Sequence, residues 1–185
     1  MTWFAAAALL AVAVAAGRKP GRSGPPRPSP AAGALVGAPV RWRSPYGMRH
    51  GRMHQGIDLG VPNGTPIYTP LAGQVIAADP NGVRSGYGAT VVVRHADGTA
   101  TLYSHLDRIT VKVGQRLAPG AQVGTAGQSN SRATPMKTPA HLHFEVLLPP
   151  FRRAGSKYPV VNPQTPKRLN PRSWIQEKGI RESTK

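Results

Sequence analysis

Residues 89–106 read ATVVVRHADGTATLYSHL, and this stretch has the pattern of a β-hairpin. Val, Thr, Leu and Tyr, which are common in strands, flank a central Asp97-Gly98 dipeptide. Asp-Gly between two such segments is typical of a two-residue type I′ turn. The stretch therefore predicts two antiparallel strands joined by a tight turn.

The turn also predicts which residues of the two strands lie opposite each other. A two-residue connection places Val92 opposite Tyr103 and Thr90 opposite His105. We therefore expect His105 at the end of the hairpin that is remote from the turn.

The rest of residues 40–149 has a similar composition. Short apolar alternations are separated by turn signals, and the chain holds 21 Gly and 20 Pro, which favour turns over long helices. Three further turn signals are Pro62-Asn63-Gly64, Pro80-Asn81-Gly82 and Pro119-Gly120. These features predict one all-β domain over residues 40–149, a compact antiparallel sheet or sandwich.

The segments on either side of this domain differ from it. Residues 1–17 contain an unbroken apolar run of 14 residues, Trp3–Ala16, which favours a signal peptide or a short membrane anchor. No Lys or Arg precedes the run, so an ordinary apolar segment is the alternative. Residues 18–39 are rich in Pro, Gly and Arg and predict a linker. Residues 150–185 predict a basic, mostly irregular tail, with at most a turn or two of helix at 173–178.

The formal charge is +17, from 24 Lys and Arg against 7 Asp and Glu. It would concentrate the protein on a polyanion such as anionic wall polymer or a membrane surface. It does not indicate specific nucleic-acid binding, because no stacking-aromatic pattern or nucleic-acid motif accompanies it. The chain has no Cys, which excludes disulfides, thiolate metal sites and a cysteine nucleophile.

The sequence HLHFEV, residues 141–146, alternates polar and apolar side chains with the period of a strand. Its apolar residues fall on one face, which we expect to join the core. The other face carries His141, His143 and Glu145, and same-face neighbours on a strand lie about 6.5–7 Å apart. Both imidazoles can therefore serve one metal-centred site. The alternative is a half-buried strand whose polar face meets solvent.

In HQGID, residues 54–58, a His and an Asp are four residues apart. A straight strand would separate His54 and Asp58 by about 13 Å, which is too far for two ligands with bonds of about 2 Å to one metal ion. Shared ligation requires the chain to bend between them, and Gly56 permits unusual backbone angles at that point. The alternative is an exposed His beside a turn Asp.

Taken together, the two motifs favour a metal site. The predicted domain holds five acidic residues, and one of them falls in the His-x-x-x-Asp motif. Two His and one carboxylate form a catalytic zinc set that leaves a fourth position for water. The spacing leaves open whether His141 and His143 both bind the metal.

These motifs, in this order, resemble the lysostaphin-type, or LytM-like, zinc endopeptidases that hydrolyse peptidoglycan. The resemblance extends over residues 43–147 and is carried by six segments. They are SPYGMR (44–49), HQGIDLGVPNGTPIYTPLAGQVIAA (54–78), GYGATVVVRH (86–95), LYSHL (102–106), VKVGQRLAPGAQVGTAG (111–127) and HLHFEV (141–146). The chain departs from the family at residues 128–140, which are longer than its usual stretch before HLH and leave the substrate preference open.

The resemblance implies a role for five side chains. His54, Asp58 and His143 match the ligands of one Zn²⁺ ion. His141 matches the family's catalytic histidine, and His105 matches its catalytic partner.

Three further polar residues have no role assigned by the resemblance. His50 and His95 match no functional position, and we expect them to be surface or structural residues. Glu145 either accepts a hydrogen bond that orients an imidazole or is a surface charge.

The implied function is hydrolysis of stem or cross-bridge peptides of bacterial peptidoglycan by an enzyme of the cell envelope, periplasmic or secreted. A phage-borne lysin would have the same motifs. The alternative function is a non-catalytic module of the same fold that binds peptidoglycan or activates another hydrolase. The presence of all five matched residues favours the enzyme, and the basic linker and tail would then hold it on wall polymer or membrane.

Overall fold

The computed structural model describes residues 31–80, 86–129, 139–149, 151 and 167–183. The predicted signal or anchor segment lies outside these ranges. Within them the secondary structure is β1 (Ala34–Val36), β2 (Arg41–Ser44), β3 (Gly47–Arg49), β4 (Arg52–His54), β5 (Ile57–Gly60), β6 (Pro66–Tyr68), β7 (Gly73–Asp79), β8 (Ala89–His95), β9 (Ala100–Ile109), β10 (Arg116–Leu117), β11 (Gln122–Ala126), β12 (His141–Leu147), β13 (Arg168–Leu169), α1 (Pro171–Glu177) and β14 (Arg181–Ser183). The part of the chain that is described contains no helix long and apolar enough to span a membrane.

Twelve of the strands form one sheet, and β3 and β4 form a separate hairpin. One path through the sheet runs β10-β7-β8-β9-β11-β6-β1-β14, and β12 and β5 branch from it beside β9. Neighbouring strands are antiparallel except β1 and β14, which are parallel. The prediction of an all-β, mainly antiparallel domain is confirmed.

The longest strand, β9, is the junction of the sheet. Its first half pairs with β8 and β12, and its second half pairs with β11. A bulge separates the halves, where Thr90 of β8 lies opposite both Ser104 and His105. His105 has a φ of 60°, a left-handed conformation that is uncommon for a residue other than Gly. His105 therefore lies at a bend of β9, between the part that pairs with β8 and β12 and the part that pairs with β11.

The predicted register of the β8–β9 hairpin is wrong by one residue near its turn. Val92 lies opposite Leu102 rather than Tyr103. The connection is a three-residue loop, residues 96–98, in which Gly98 has a φ of 84°. Such a loop, which ends in a left-handed Gly, is the next commonest hairpin connection after the two-residue turn.

The strands β3 and β4 form a hairpin that the sequence analysis did not predict. Arg49 lies opposite Arg52, so the connection is the two-residue turn His50-Gly51. Both turn residues have positive φ, 47° and 73°, as a type I′ turn requires. His-Gly is a weaker signal for this turn than Asn-Gly or Asp-Gly, because His rarely adopts positive φ.

An aromatic cluster lies at the centre of the hydrophobic core. The ring of Phe144 lies 5.5 Å from that of Tyr103 and 6.3 Å from that of Trp174, between centroids. Phe144 belongs to the apolar face of β12, which is fully buried as predicted. Burial of this face fixes the orientation of the opposite face, which carries the polar residues of HLHFEV.

The N-terminal linker predicted over residues 18–39 includes a strand of the sheet. Residues Ala34–Val36 form β1, which is fully buried between β6 and β14. The segment Ala-Leu-Val is apolar enough to pack in the core, and this outweighs the Pro- and Gly-rich composition around it.

The described part of the predicted irregular tail also belongs to the domain. Residues 167–183 form β13, α1 and β14, and both strands pair with the sheet. The helix begins at Pro171, and its N-cap Asn170 accepts a hydrogen bond from the Arg172 N–H. Its apolar face, Trp174 and Ile175, is buried. This small apolar face outweighs the basic composition that predicted an irregular tail.

The Trp174→Ala substitution is expected to destabilise the domain by about 3–5 kcal/mol, because it opens a cavity beside Phe144. Urea unfolding followed by circular dichroism measures the change. Gln176→Ala, at an exposed position of the same helix, is the matched control and should change stability by less than about 0.5 kcal/mol. Equal stability of the two variants would contradict the packing of α1 on the core.

Candidate metal centre

The structure brings the three predicted metal ligands together. His54 ends β4, and Asp58 of β5 lies opposite His143 of β12. His54 Nε2 is 3.2 Å from Asp58 Oδ1 and 3.2 Å from His143 Nδ1. His143 Nδ1 is 2.8 Å from Asp58 Oδ1. All three side chains are buried, so three potential donor atoms converge on one point.

The chain bends between His54 and Asp58, as shared ligation requires. Residues 55 and 56 interrupt the strands there. Gly56 does not have positive φ; its role is close packing. A Cβ atom at this position would lie 2.8 Å from Cε1 and 2.9 Å from Nε2 of His143, and would also overlap the Phe144 carbonyl oxygen. The absence of a side chain at Gly56 therefore lets the segment that precedes β5 approach the His143 ring.

A backbone contact fixes the tautomer of His54. Its Nδ1 lies 2.6 Å from the carbonyl oxygen of Pro45, and a carbonyl oxygen can only accept a hydrogen bond, so Nδ1 donates. The lone pair of the neutral ring is then on Nε2, the atom that points towards Asp58 and His143. His54 is thus prepared to bind a metal ion through Nε2.

Glu145 fixes the orientation of the His143 ring, here through Nε2 rather than Nδ1. His143 Nε2 donates to Glu145 Oε1 at 3.1 Å, because an ionised carboxylate can only accept. This contact directs Nδ1 towards Asp58 and His54. Ligating histidines commonly donate their second nitrogen to a carboxylate or carbonyl oxygen in this way. Both histidines of the cluster have this support.

The cluster strongly favours positive charge at its centre. Burial opposes ionisation of Asp58, but the hydrogen bond from His143 and the positive charge of that ring outweigh it, so the pKa of Asp58 lies far below its usual value. Burial likewise opposes a charge on His143, but hydrogen bonds to Asp58 and Glu145 outweigh it and raise the pKa of His143 to about 9. A cation held between two buried carboxylates is therefore stabilised.

These residues fit a zinc ion. The edges of a tetrahedron with bonds of about 2.0–2.1 Å are about 3.3 Å long, and the three separations between the donor atoms are 2.8 to 3.2 Å. Two imidazoles and a carboxylate are also a typical donor set of catalytic zinc. A divalent ion would supply the positive charge that protonation of His143 otherwise supplies.

Glu145 is fully buried and is therefore not a surface charge. Its Oε2 accepts from Arg168 Nε at 2.7 Å, and its Oε1 accepts from the Tyr87 hydroxyl as well as from His143. Burial raises the pKa of Glu145, but the hydrogen bond and charge of His143 and the charge of Arg168 outweigh it, so the pKa lies below its usual value. The C-terminal strand β13 thus supports the candidate metal centre through Arg168, a contact that the sequence patterns did not predict.

Glu145→Gln is expected to weaken Zn²⁺ binding about 10–100-fold, because the neutral amide is a poorer acceptor for His143. Competition with a chromophoric chelator measures the dissociation constant. Gln has the same shape as Glu, so circular dichroism should show an unchanged fold. Unaltered zinc affinity would show that Glu145 does not support the ligand.

A second pair of histidines lies beside the cluster. The rings of His105 and His141 are 4.7 Å apart between centroids. Each donates Nδ1–H to a backbone carbonyl at 3.0 Å, His105 to Ser129 and His141 to Pro139. Nε2 is then the nitrogen of each ring that can accept a proton. His141 Nε2 lies 4.0 Å from Asp58 Oδ1, so it faces the candidate metal centre without being one of the three closest donors.

Both rings of this second pair are neutral at neutral pH. Burial lowers the pKa of His105 to about 4, and burial also lowers the pKa of His141. Each ring therefore has an unprotonated Nε2 that is available to accept a proton.

The two remaining histidines differ in environment. His95 is buried on β8; its Nδ1 donates to the Ala72 carbonyl at 2.9 Å, and its Nε2 lies 2.8 Å from the Thr101 hydroxyl. These bonds satisfy both nitrogens, so His95 is a structural residue. His50 is exposed at the β3–β4 turn.

Comparisons with known proteins find a matching family model and individual relatives. The family model described as Peptidase family M23 matches residues 52–157. The chain is 38% identical over 95 residues to the peptidoglycan DD-endopeptidase ShyB of Vibrio cholerae and 32% identical over 107 residues to the cell division protein DipM of Caulobacter vibrioides. These matches cover 51% and 58% of this chain, but the chain spans just 20% and 16% of the two relatives.

Solved structures with the same fold include two catalytic domains. That of the prophage-encoded protein EnpA of Enterococcus faecalis is 30% identical, with a TM-score of 0.52 and coverage of 74% of this chain and 92% of that domain. That of the antimicrobial peptidase lysostaphin of Staphylococcus simulans has a TM-score of 0.56 with the same coverage, and its 23% identity shows the fold alone.

Proposed function

The chain belongs to peptidase family M23, and we propose that it is a zinc-dependent endopeptidase that hydrolyses peptide bonds in bacterial peptidoglycan. The observation that carries the proposal is the convergence of His54, Asp58 and His143 on one point, beside two neutral histidines. A single pocket lined by all five side chains favours catalysis over the non-catalytic alternative.

The metal ligands would be His54 Nε2, Asp58 Oδ1 and His143 Nδ1. When bound there, zinc supplies the Lewis acidity that makes water a nucleophile near neutral pH and polarises a scissile carbonyl. The chain's own residues keep the ligands in position: Pro45 holds the His54 ring, and Glu145 holds the His143 ring.

His105 and His141 would move the protons. Nε2 of one ring accepts a proton from the attacking water, and the same Nε2 then donates that proton to the leaving amine. Their Nδ1 atoms stay bonded to backbone carbonyls, so the rings keep their orientation when they gain a proton. An imidazolium at this position also stabilises the negative charge that develops on the carbonyl oxygen.

The proposed substrates are stem or cross-bridge peptides, and the proposed location is the cell envelope. The similarity to a peptidoglycan DD-endopeptidase supports the proposed substrate class. The net charge of +17 would hold the enzyme near anionic wall polymer or a membrane surface.

Digestion of purified peptidoglycan, followed by mass spectrometry of the released fragments, tests the proposal. We expect cleavage of peptide bonds, inhibition by a metal chelator, and recovery after addition of Zn²⁺. Binding to peptidoglycan without release of any fragment by the zinc-loaded protein would favour the non-catalytic module.

A further inference from the structure

The pocket around the candidate metal centre extends well beyond the metal ligands. Its volume is about 680 Å³, within the range of pockets that bind small organic ligands. Three arginines line it, Arg43, Arg49 and Arg52, and Asp58 is the one acidic residue among the lining residues that the structure describes. The part of the pocket outside the metal centre is therefore cationic.

A β-bulge directs Arg43 into this pocket. Trp42 of β2 lies opposite Leu59 of β5, but Ser44 lies opposite Asp58, so Arg43 is an extra residue in the ladder. Consecutive side chains of a regular strand point to opposite faces, yet Arg43 and Ser44 both line the pocket. Bulges redirect side chains in this way.

Gly60 leaves room for the Arg43 side chain. A Cβ atom on Gly60 would overlap Nε of Arg43 and would lie 3.0 and 3.1 Å from its Cδ and Cγ. Arg43 therefore extends from β2 across the backbone of β5. Gly60 itself pairs with His141 of the next strand, so the guanidinium group lies near the proposed catalytic pair.

The other two arginines face each other across the β3–β4 hairpin. Directly opposed like charges destabilise a strand pair, and Arg49 lies directly opposite Arg52. Arg49 is stabilised by the Ser44 hydroxyl, which accepts from its Nη1 at 2.6 Å, and by Asp58 Oδ2 at 3.5 Å. Within the described ranges, no ion pair with an acidic side chain involves Arg43 or Arg52. Folding alone does not explain why these two cations line the pocket.

We propose that Arg43 and Arg52 form a subsite for a carboxylate of the substrate. The preferred substrate is then an acidic wall peptide with a free carboxylate close to the scissile bond, rather than a neutral peptide such as a glycine bridge. A guanidinium group binds a carboxylate through two parallel N–H donors. This inference rests on the proposed function and specifies its substrate.

The test uses two cross-linked stem-peptide substrates that differ in one group. One has a free carboxylate beside the scissile bond, and the other has a carboxamide at the same position. The wild-type protein should cleave the acid form with a kcat/KM about tenfold higher than the amide form. Arg43→Gln should lower kcat/KM for the acid form about tenfold, mainly through KM, so that the preference for the acid form over the amide form is lost. Arg94→Gln, an exposed position of β8 outside the pocket lining, should change neither value.

The outcomes separate the subsite from the proposed function. Equal rates for the two forms with the wild-type protein, or an unchanged acid preference in Arg43→Gln, would overturn the subsite but leave the peptidase function intact. Cleavage of neither form by zinc-loaded protein would refute the function itself. Arg43→Lys adds a further readout. This variant should keep part of the preference for the acid form, because Lys retains the positive charge but lacks the second parallel donor of Arg.

Discussion

The Asp58→Ala variant is expected to lose both stoichiometric Zn²⁺ and all measurable hydrolysis of peptidoglycan. Asp58 Oδ1 lies within 3.2 Å of both His54 Nε2 and His143 Nδ1, so its removal takes the one carboxylate from the predicted ligand set. Catalytic zinc sites have three protein ligands, and the two imidazoles left behind are an incomplete site. His54→Ala should have the same effect.

Zinc content of the purified variants, measured by atomic emission, and turbidity of a peptidoglycan suspension are the two readouts. Asp107→Ala is a matched control, because Asp107 is an exposed aspartate of the same domain; it should keep both zinc and lysis. Lysis by Asp58→Ala in metal-free buffer would show that the protein does not use this cluster.

The candidate ligands could be identified from the sequence because each motif is local. In HLHFEV the strand period alone puts the histidines on one face, and the structure keeps that face together. HQGID required a bend, which the chain has. What the sequence could not give is the pairing of Asp58 with His143, because residues far apart in the chain meet there. The family resemblance supplied that juxtaposition.

The register of the β8–β9 hairpin could not be predicted from a local sequence pattern. The extra loop residue before Thr99 shifts the β8–β9 register, and a bulge at His105 then restores it, so Ala89 lies opposite Leu106. The bulge gives His105 its left-handed backbone. A single hairpin signal cannot reveal two compensating shifts, because the Asp-Gly dipeptide is compatible with both loop lengths.

Sequence composition also did not predict that β1 and β14, at the two ends of the described chain, belong to the sheet. Ala34 of β1 lies opposite Arg181 of β14, so each strand is completed by a segment near the other end of the described chain. Both segments are short and lie in Pro-rich or basic surroundings, which dominate composition. Arg168 illustrates the consequence for the site, since it reaches the buried Glu145 from a segment that composition assigns to a tail.

The His105→Asn and His141→Asn variants are expected to keep stoichiometric Zn²⁺ but to lose peptidoglycan hydrolysis about 10²–10⁴-fold, the usual contribution of general acid–base catalysis. Neither ring is one of the three converging donors, and each is oriented by a backbone carbonyl. Asn is the right replacement for His105, because it tolerates the φ of 60° better than Ala.

His50→Asn is the matched control for backbone conformation, since His50 is the other described histidine with positive φ; its loss of activity should be far smaller. Zinc content and initial rates of fragment release distinguish the outcomes. Loss of zinc from His141→Asn would make His141 a ligand, the alternative that HxH spacing leaves open. Full activity of either variant would remove that ring from the mechanism. Retained zinc with lost hydrolysis would separate proton transfer from metal binding, because the candidate ligands His54, Asp58 and His143 would still hold zinc while the proposed proton carrier is missing.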